Sequence, residues 1–460
     1  MRRRVPTRIE LAIGDRLTRA RLRFAAGATL VVGCLLLLFS FATSHNNRAA
    51  SGLGLGSDWL AFYNAGTILN TRGPARLYDL NLQAELYHEQ LPDEPDNASL
   101  PYANAPFLAV ALRPLATLSY ALSYGCWVFI SIALYAAGFI AVWQSTGVLK
   151  RYGPVALLLA LSFEPFVIEC LHGGQISALA FFAICCAIRL SITSRPFRAG
   201  LMLALCTYKP TLLPWILPML LVMRQWRTLG GFAIGATALG LMSLVTVGPQ
   251  VCFDYAHMLL GYAGRTSSAG AGGFQLCKFM DLNSFFKLLG TPTPLVWATL
   301  LSAATALALH VWRIRPRNAE DATKHLRLAW AVAVTCTVVL NLYVGVYDSI
   351  LIVPAIALTA SALLRRTNDT PRQLPLRFRC LLVAVWALPW VSGLIARDLS
   401  FQPYTIALLT LAGYQLQLWT TRVRTATTAR ASATDRRQTA ACGVANPTIH
   451  VAPSATPRLD

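Results

Sequence analysis

The chain has 460 residues, 55% of them hydrophobic and only 13% charged, with a mean hydropathy of +0.51. Soluble domains carry about a quarter charged residues, so a soluble enzyme, a disordered protein, a disulfide-stapled secreted scaffold and a nucleic-acid factor are excluded. The net charge of +20 does not announce a polyanion partner, because the 40 Lys and Arg fall in short clusters between apolar runs, which is how membrane topology is written.

The first 23 residues carry eight Arg against Glu10 and Asp15, and an apolar run follows from Phe24 to Ala42. The positive-inside rule puts residues 1–23 in the cytoplasm. The run is long for a signal peptide and no clean small-residue cleavage site follows it, so it reads as an uncleaved first helix. Further basic clusters mark the cytoplasmic side: Lys150 and Arg151; Arg189, Arg195 and Arg198; Arg224 and Arg227; Arg313 to Arg327; Arg365 to Arg379; and the tail after Thr421. Spans between such clusters come in pairs.

That parity predicts helices near 24–43, 124–146, 153–169, 176–191, 198–209, 211–224, 229–249, 293–313, 326–345, 348–364, 380–397 and 402–420, about twelve crossings. The fold class is therefore all-α, a polytopic transmembrane helical bundle forming one domain over 24–420. Several crossings are shorter than the ~20 residues of a lone span, which is tolerated only where protein or a water-filled cavity surrounds them. Pro210, Pro214 and Pro218 make 198–224 a broken pair around Lys209. Segment 105–118 would spoil the parity and carries Arg113 and Pro114 at its middle, so it reads as re-entrant or interfacial.

Two large loops then face outward. Residues 44–104 carry seven acids and three Arg, the reverse of the cytoplasmic pattern, and 250–291 are polar and Gly-rich. The tail 421–460 is rich in Thr, Ala, Arg and Pro and reads as disordered. The eleven Cys show no metal-ligand spacing. Cys252 and Cys277 share an outer loop and could pair in an oxidising periplasm.

Polar residues at the outer ends of the spans are the candidates for chemistry. Asp58 opens the first outer loop beside Trp59, Phe62 and Tyr63. A carboxylate in partly apolar surroundings gains basicity and suits a general base; the same residue could simply cap the helix that follows. His172-Gly173-Gly174-Gln175 follows a helix carrying Glu164 and Glu169. Its Gly pair lets backbone approach a ligand closely, and an ordinary turn is the alternative. Lys209, before Pro210, is placed to bind a phosphate, or to snorkel to the headgroups. Asn283, Tyr347 and Asp348, with the cations Arg265 and Lys278, fall on the same side, and that joint placement is the stronger signal. No His/Cys metal site, Gly-rich nucleotide loop or Asp-x-Asp pair is present, and nothing calls for a cofactor or a sugar nucleotide.

These pieces resemble glycosyltransferase family 87, integral-membrane enzymes of the GT-C superfamily that include polyprenyl-phosphate-mannose-dependent α-mannosyltransferases. The resemblance rests on the first helix followed by SDWLAFYNAG, on LYDL at Tyr78, on the short PF…RPLATL segment, on HGGQ and on AGLMLALCTYKP, over roughly residues 45–350. It implies a GT-C-like bundle with a large first extracytoplasmic loop, a polyprenyl-phosphate hexose donor, a lipid or glycan acceptor, an outer-face site, no metal, and inversion at the anomeric carbon. Asp58 then matches the family's catalytic aspartate, Gln175 its Gly-Gln motif and Lys209 its Lys-Pro motif. Arg265 would join Lys209 at the donor phosphate, and Tyr63, His172, Asn283, Tyr347 and Asp348 would line the substrates. Two elements depart from the family: Tyr102-Ala103-Asn104-Ala105-Pro106 stands where Tyr-Pro-Pro is common, and Leu282-Asn283-Ser284 where Asn-Gln-Ser is.

A transporter or lipid flippase is the competing reading, with Glu164, Glu169 and Asp348 lining a pathway. The chain shows no paired repeat of the kind transporters use. A non-catalytic scaffold of envelope assembly is the third. In each case the expected location is the cell (inner) membrane, with membrane lipids and no nucleic acid as partners.

Overall fold

The computed structural model describes residues 18–52, 54–92, 100–146, 149–265, 276–291, 297, 299–300, 302–303, 319–364 and 374–420. The chain divides into two units, Met1–Gln415 and Leu416–Asp460; of the second, only 416–420 are described, and they are helical. The basic N-terminus before residue 18, nearly all of the expected crossing 293–313, and the tail 421–460 lie outside the described residues. Among the described residues the architecture is helical, and strand pairing is limited to isolated bridges.

Helix α1 (Arg19–Ala42) begins five residues before the expected start, because Thr18 caps it by accepting from the Arg21 N–H at 3.3 Å and arginine is a good helix former. Val31, Val32, Leu35, Leu36 and Leu38 are exposed, with only Ala26 and Gly33 buried, as expected of a helix facing lipid. Helices α2 (Trp59–Thr71) and α3 (Leu80–Gln90) belong to the first large loop. The next helix, α4, is the seven residues Pro106–Leu112. Arg113 and Pro114 stop it, and at ~1.5 Å per residue it reaches only about 10 Å, too short to cross a bilayer. It packs against α2 and against the later helix Trp226–Val247.

Helix α5 (Tyr120–Thr146) is long and apolar, and α6 (Leu149–Leu161) follows it. Where one helix is expected over 153–169, the chain bends by 44° and continues as a π-helical segment, Pro165–His172. Pro165 lacks an N–H and its ring crowds the preceding turn, which forces such a break. Helix α7 (Ser177–Ile192) is the centre of the protein: Ala178, Ala180, Phe181, Ala183, Ile184, Cys185, Ala187 and Ile188 are all fully buried. A helix apolar all round belongs in a core, and α7 packs on both α5 and the helix that follows it, Pro196–Ala204.

The expected break around Lys209 is present. Helix α8 (Pro196–Ala204) ends in a 3-10 turn Leu205–Tyr208, a second 3-10 turn covers Pro210–Leu212, and α9 (Ile216–Val222) resumes. Helix α10 (Trp226–Val247) lies backbone to backbone on α8, since a Cβ at Gly200 would strike the Thr228 carbonyl and one at Gly231 the Phe197 carbonyl. Helices α11 (Pro249–Arg265), α12 (Leu282–Leu288), α13 (Ala319–Val339) and α14 (Ile352–Leu364) follow. Then come α15 (Leu376–Ala387) and α16 (Pro389–Leu399), bent by 66° at Pro389, and a last helix over 403–420.

Among the described residues four helical stretches, Arg19–Ala42, Tyr120–Thr146, Trp226–Val247 and Val346–Leu364, are long and apolar enough to cross a membrane, six if each bent pair is one span. The protein is a multi-pass helical membrane protein. Two further expected crossings, 176–191 and 326–345, are shorter apolar helices, Ser177–Ile192 and His325–Val339. Cys252 and Cys277 both carry free thiols.

Candidate active site

Asp58 stands at the N-cap position immediately before α2, yet its side chain makes no capping hydrogen bond. The helix-cap reading is therefore set aside. The carboxylate instead accepts a 3.0 Å hydrogen bond from Gln175 Nε2. The backbone fixes the same pairing: the Gly173 carbonyl accepts from the N–H groups of Asp58 (2.8 Å) and Trp59 (3.1 Å). Approach this close requires glycine. A Cβ on Gly173 would sit 3.2 Å from Asp58 Oδ2 and 2.7 Å from the Glu169 carbonyl oxygen. Gly174 adopts φ +79°, and a Cβ there would sit 2.6 Å from Trp59 Cβ. The Gln175 N–H donates to the Glu169 carbonyl (3.1 Å), which folds the turn back on the π-helical segment.

Helix α5 holds the other side of Asp58. Tyr120 Oη donates to the carbonyls of Leu55 and Gly56, 2.7 Å each. Trp59 Nε1 donates to Ser123 Oγ (3.2 Å), and the Trp59 ring stacks on Trp127 at 4.8 Å. Tyr124 Oη donates to the carbonyls of Leu171 (2.6 Å) and His172 (2.9 Å). Asp58 is thus clamped between α5 and the HGGQ turn and is half-buried there. Burial pushes its carboxyl above the ordinary value of 3.8, and the charge of Lys278 and the Gln175 hydrogen bond act against that rise.

Lys209, expected as an open cation, is engaged. Its Nζ lies 2.5 Å from Asp348 Oδ2, 4.4 Å above the Tyr347 ring and 3.4 Å from the Tyr347 hydroxyl. The Lys209 side chain is 16% exposed and that of Asp348 1%, so this is a buried ion pair rather than a lysine snorkelling to headgroups. Ser177 Oγ donates to the other oxygen, Asp348 Oδ1, at 2.7 Å. Tyr347 and Asp348 therefore build the wall that holds Lys209, and Ser177, two residues after Gln175, ties that wall to the Asp58 turn.

The remaining candidates divide. Tyr63 donates its hydroxyl to the Leu118 carbonyl (3.0 Å), and its ring meets Tyr120 edge-on while remaining partly exposed. His172 turns away from Asp58, its Nε2 lying 3.0 Å from the Gly33 carbonyl on α1. Asn283 is buried and donates to the Leu342 carbonyl at 2.7 Å. Its neighbour Asp281, fully buried, caps α12 through Ser284 and also accepts from the Val344 N–H. Arg265 ends α11, and its side chain lies outside the described residues. Ser177 escaped sequence reasoning, having no signal beyond its nearness to Gln175. Lys278 was singled out there only as one cation of its side, and only folding brings it within electrostatic reach of Asp58. Among the described residues no three His, Cys, Asp or Glu side chains gather in a way that could hold a metal.

A model of glycosyltransferase family 87 matches residues 102–341, more than half of the chain. The chain belongs to glycosyltransferase family 87. No curated protein and no solved structure matches it. The protein is a membrane glycosyltransferase, with a sugar donor and an acceptor as its substrates. The matched stretch contains HGGQ, Lys209 and Asn283, whereas Asp58 lies before it and Tyr347 and Asp348 after it. The significance of Asp58 within this family 87 protein therefore rests on its geometry against HGGQ.

Proposed function

We propose that this family 87 enzyme transfers a hexose, mannose foremost, from a polyprenyl-phosphate donor to a hydroxyl of a lipid or glycan acceptor, at the extracytoplasmic face of the cell membrane. One observation carries the reading. Asp58 sits where a helix cap would, does not cap, and is gripped by the turn within the family-matched segment. A carboxylate held in that way keeps acceptor capacity for a substrate proton.

In a single displacement, Asp58 takes the proton of the acceptor hydroxyl as its oxygen attacks the anomeric carbon. The bond from that carbon to the phosphate oxygen breaks on the opposite face, and its electron pair leaves with polyprenyl phosphate. One C–O bond replaces another and the configuration inverts. Phosphate departs without protonation, so it calls for a cation to meet its charge and the reading gives no metal or cofactor a role. Tyr63 and Gln175 are the substrate-facing residues of this scheme. His172, Asn283, Tyr347 and Asp348 support them from behind. The Arg-rich start before α1 orients the N-terminus to the cytoplasm.

The test is transfer by the purified full-length protein from radiolabelled polyprenyl-phosphate mannose to a membrane glycolipid extract. Label in a new glycolipid, with anomeric configuration opposite to the donor's, supports the reading. Failure to transfer from polyprenyl phosphates carrying mannose, glucose or galactose, with movement of an intact lipid across the bilayer instead, would favour the flippase.

A further inference from the structure

Two lysines stand near the acidic residues of the site, and they are held in opposite ways. Lys209 is consumed by Asp348. Lys278 is exposed and, among the described residues, forms no ion pair. Yet the backbone beneath Lys278 is fastened on all sides. It ends a 3-10 turn, Leu276–Lys278. The carbonyls that flank it, Cys277 and Phe279, both accept from one amide, Gln402 Nε2, at 3.0 and 3.3 Å. Gln402 is 2% exposed. Its Oε1 accepts from Ser392 Oγ, which itself accepts from the Tyr404 N–H at 3.0 Å, so the amide cannot rotate away. The two residues after Lys278 are stitched down as well: Phe279 bridges to Gly345, the Met280 N–H donates to the Val344 carbonyl (3.2 Å), and Thr405 Oγ1 donates to the Met280 carbonyl (2.8 Å).

The pinned backbone fixes the point from which an exposed ammonium group, with no ion pair among the described residues, reaches a charged ligand, so that on binding only the side chain's own freedom is lost. The position fits a particular ligand. The Phe279–Gly345 bridge and the Met280–Val344 hydrogen bond set Lys278 beside the stretch that leads to Tyr347 and Asp348. Its charge acts on the Asp58 carboxylate, and no carboxylate lies within ion-pair distance of it among the described residues. An in-line displacement needs the base on one side of the sugar and a cation for the phosphate on the other. Lys209, already neutralised, offers no such net charge.

We propose that Lys278 is the residue that contacts the phosphate of the donor, and that Gln402 is its positioning residue. The inference rests on the polyprenyl-phosphate reading given above and names the cation of that same site.

The experiment measures binding of decaprenyl phosphate, the product-like leaving group, to the full-length protein in lipid nanodiscs, alongside transfer from synthetic polyprenyl-phosphate mannose. Hydrogen bonds to charged groups are worth about 1.5–3 kcal/mol, so Lys278→Ala should weaken decaprenyl phosphate binding by roughly 10- to 100-fold, and Lys278→Arg should recover part of it. Gln402→Met should raise the KM for donor in the wild-type background and add nothing in the Lys278→Ala background, because its effect passes through the lysine. If Lys278→Ala binds decaprenyl phosphate as tightly as wild type, the proposal is overturned and the functional reading stands. If Gln402→Met is equally harmful without Lys278, its positioning role is overturned. If wild type neither binds decaprenyl phosphate nor transfers mannose, it is the functional reading that fails. Lys278 is exposed, so misfolding is not the expected outcome of replacing it.

Discussion

Asp58 and Asp348 are both carboxylates tied to the segment around Gln175, yet they are left with different capacities. Asp348 is saturated: Ser177 occupies Oδ1 and Lys209 occupies Oδ2, in a setting with almost no exposure. Asp58 receives one hydrogen bond, from Gln175 to Oδ2, keeps Oδ1 open among the described residues, and is half-buried. An ionised carboxylate has roughly four lone-pair sites, so Asp58 can still take a proton from a substrate whereas Asp348 has its charge and both oxygens committed. Hydrogen bonding to a motif does not by itself mark a catalytic acid or base. What remains unsatisfied marks it. The two lysines repeat the lesson, with Lys209 committed and Lys278 open.

The sharpest way to break the comparison is to remove Lys209. Deleting one partner of a buried ion pair leaves an uncompensated charge and costs about 3–5 kcal/mol. Lys209→Ala should therefore lower the unfolding temperature of the protein in mild detergent by many degrees. The double variant Lys209→Met with Asp348→Asn should regain most of the loss. A Lys209→Ala protein as stable as wild type, with only donor affinity reduced, would return Lys209 to the phosphate and undo the contrast.

A smaller effect is expected at Gln175. Gln175→Ala removes the hydrogen bond to Asp58 but leaves the Gly173 carbonyl bonded to the backbone of α2. A misplacement of about 1 Å at a reacting group can cost about 10²-fold in rate, so transfer should fall roughly 10- to 100-fold, a larger effect than the accompanying loss of stability. Equal losses of stability and rate would make Gln175 a scaffold residue.

The pH dependence sharpens the picture further and with the smallest change. A base must be deprotonated, so kcat/KM should rise with pH through the pKa of Asp58. Burial raises that pKa above 3.8, and Lys278 and Gln175 pull it back. The acid limb should have its midpoint above the ordinary aspartate value. Lys278→Gln removes a cation that favours the ionised form, so the midpoint should move higher still. A midpoint that moves down, or does not move, contradicts the electrostatic link between Lys278 and Asp58.

Much of this is legible in the sequence for reasons of local chemistry. The helix after the basic N-terminal stretch, the break at Lys209 among three prolines, and the interruption at Arg113-Pro114 all follow from residue types that act on their own backbone. HGGQ shows itself through glycines whose use becomes clear only when Asp58 and Trp59 press against them. What the sequence leaves open is who stands opposite whom. Asp348 meets Lys209 across 139 positions and Ser177 across 171, and His172 turns to Gly33 rather than to Asp58. The choice between base and helix cap at Asp58 likewise depends on Gln175 being 117 positions away and 3.0 Å distant. Lys278 resembles any loop lysine until Gln402 is seen beneath its backbone.

The most direct test of the central claim is the transfer rate of Asp58→Asn, with decaprenyl phosphate binding and unfolding temperature measured on the same preparation. Asparagine keeps the size and can still accept from Gln175, but it cannot take a proton. General-base assistance contributes roughly 10²–10⁴-fold, or about 3–5 kcal/mol of barrier. The account predicts loss of transfer on that scale, with binding and stability close to wild type. An Asp58→Asn protein that keeps half of its transfer rate would contradict it and leave the enzyme without its base.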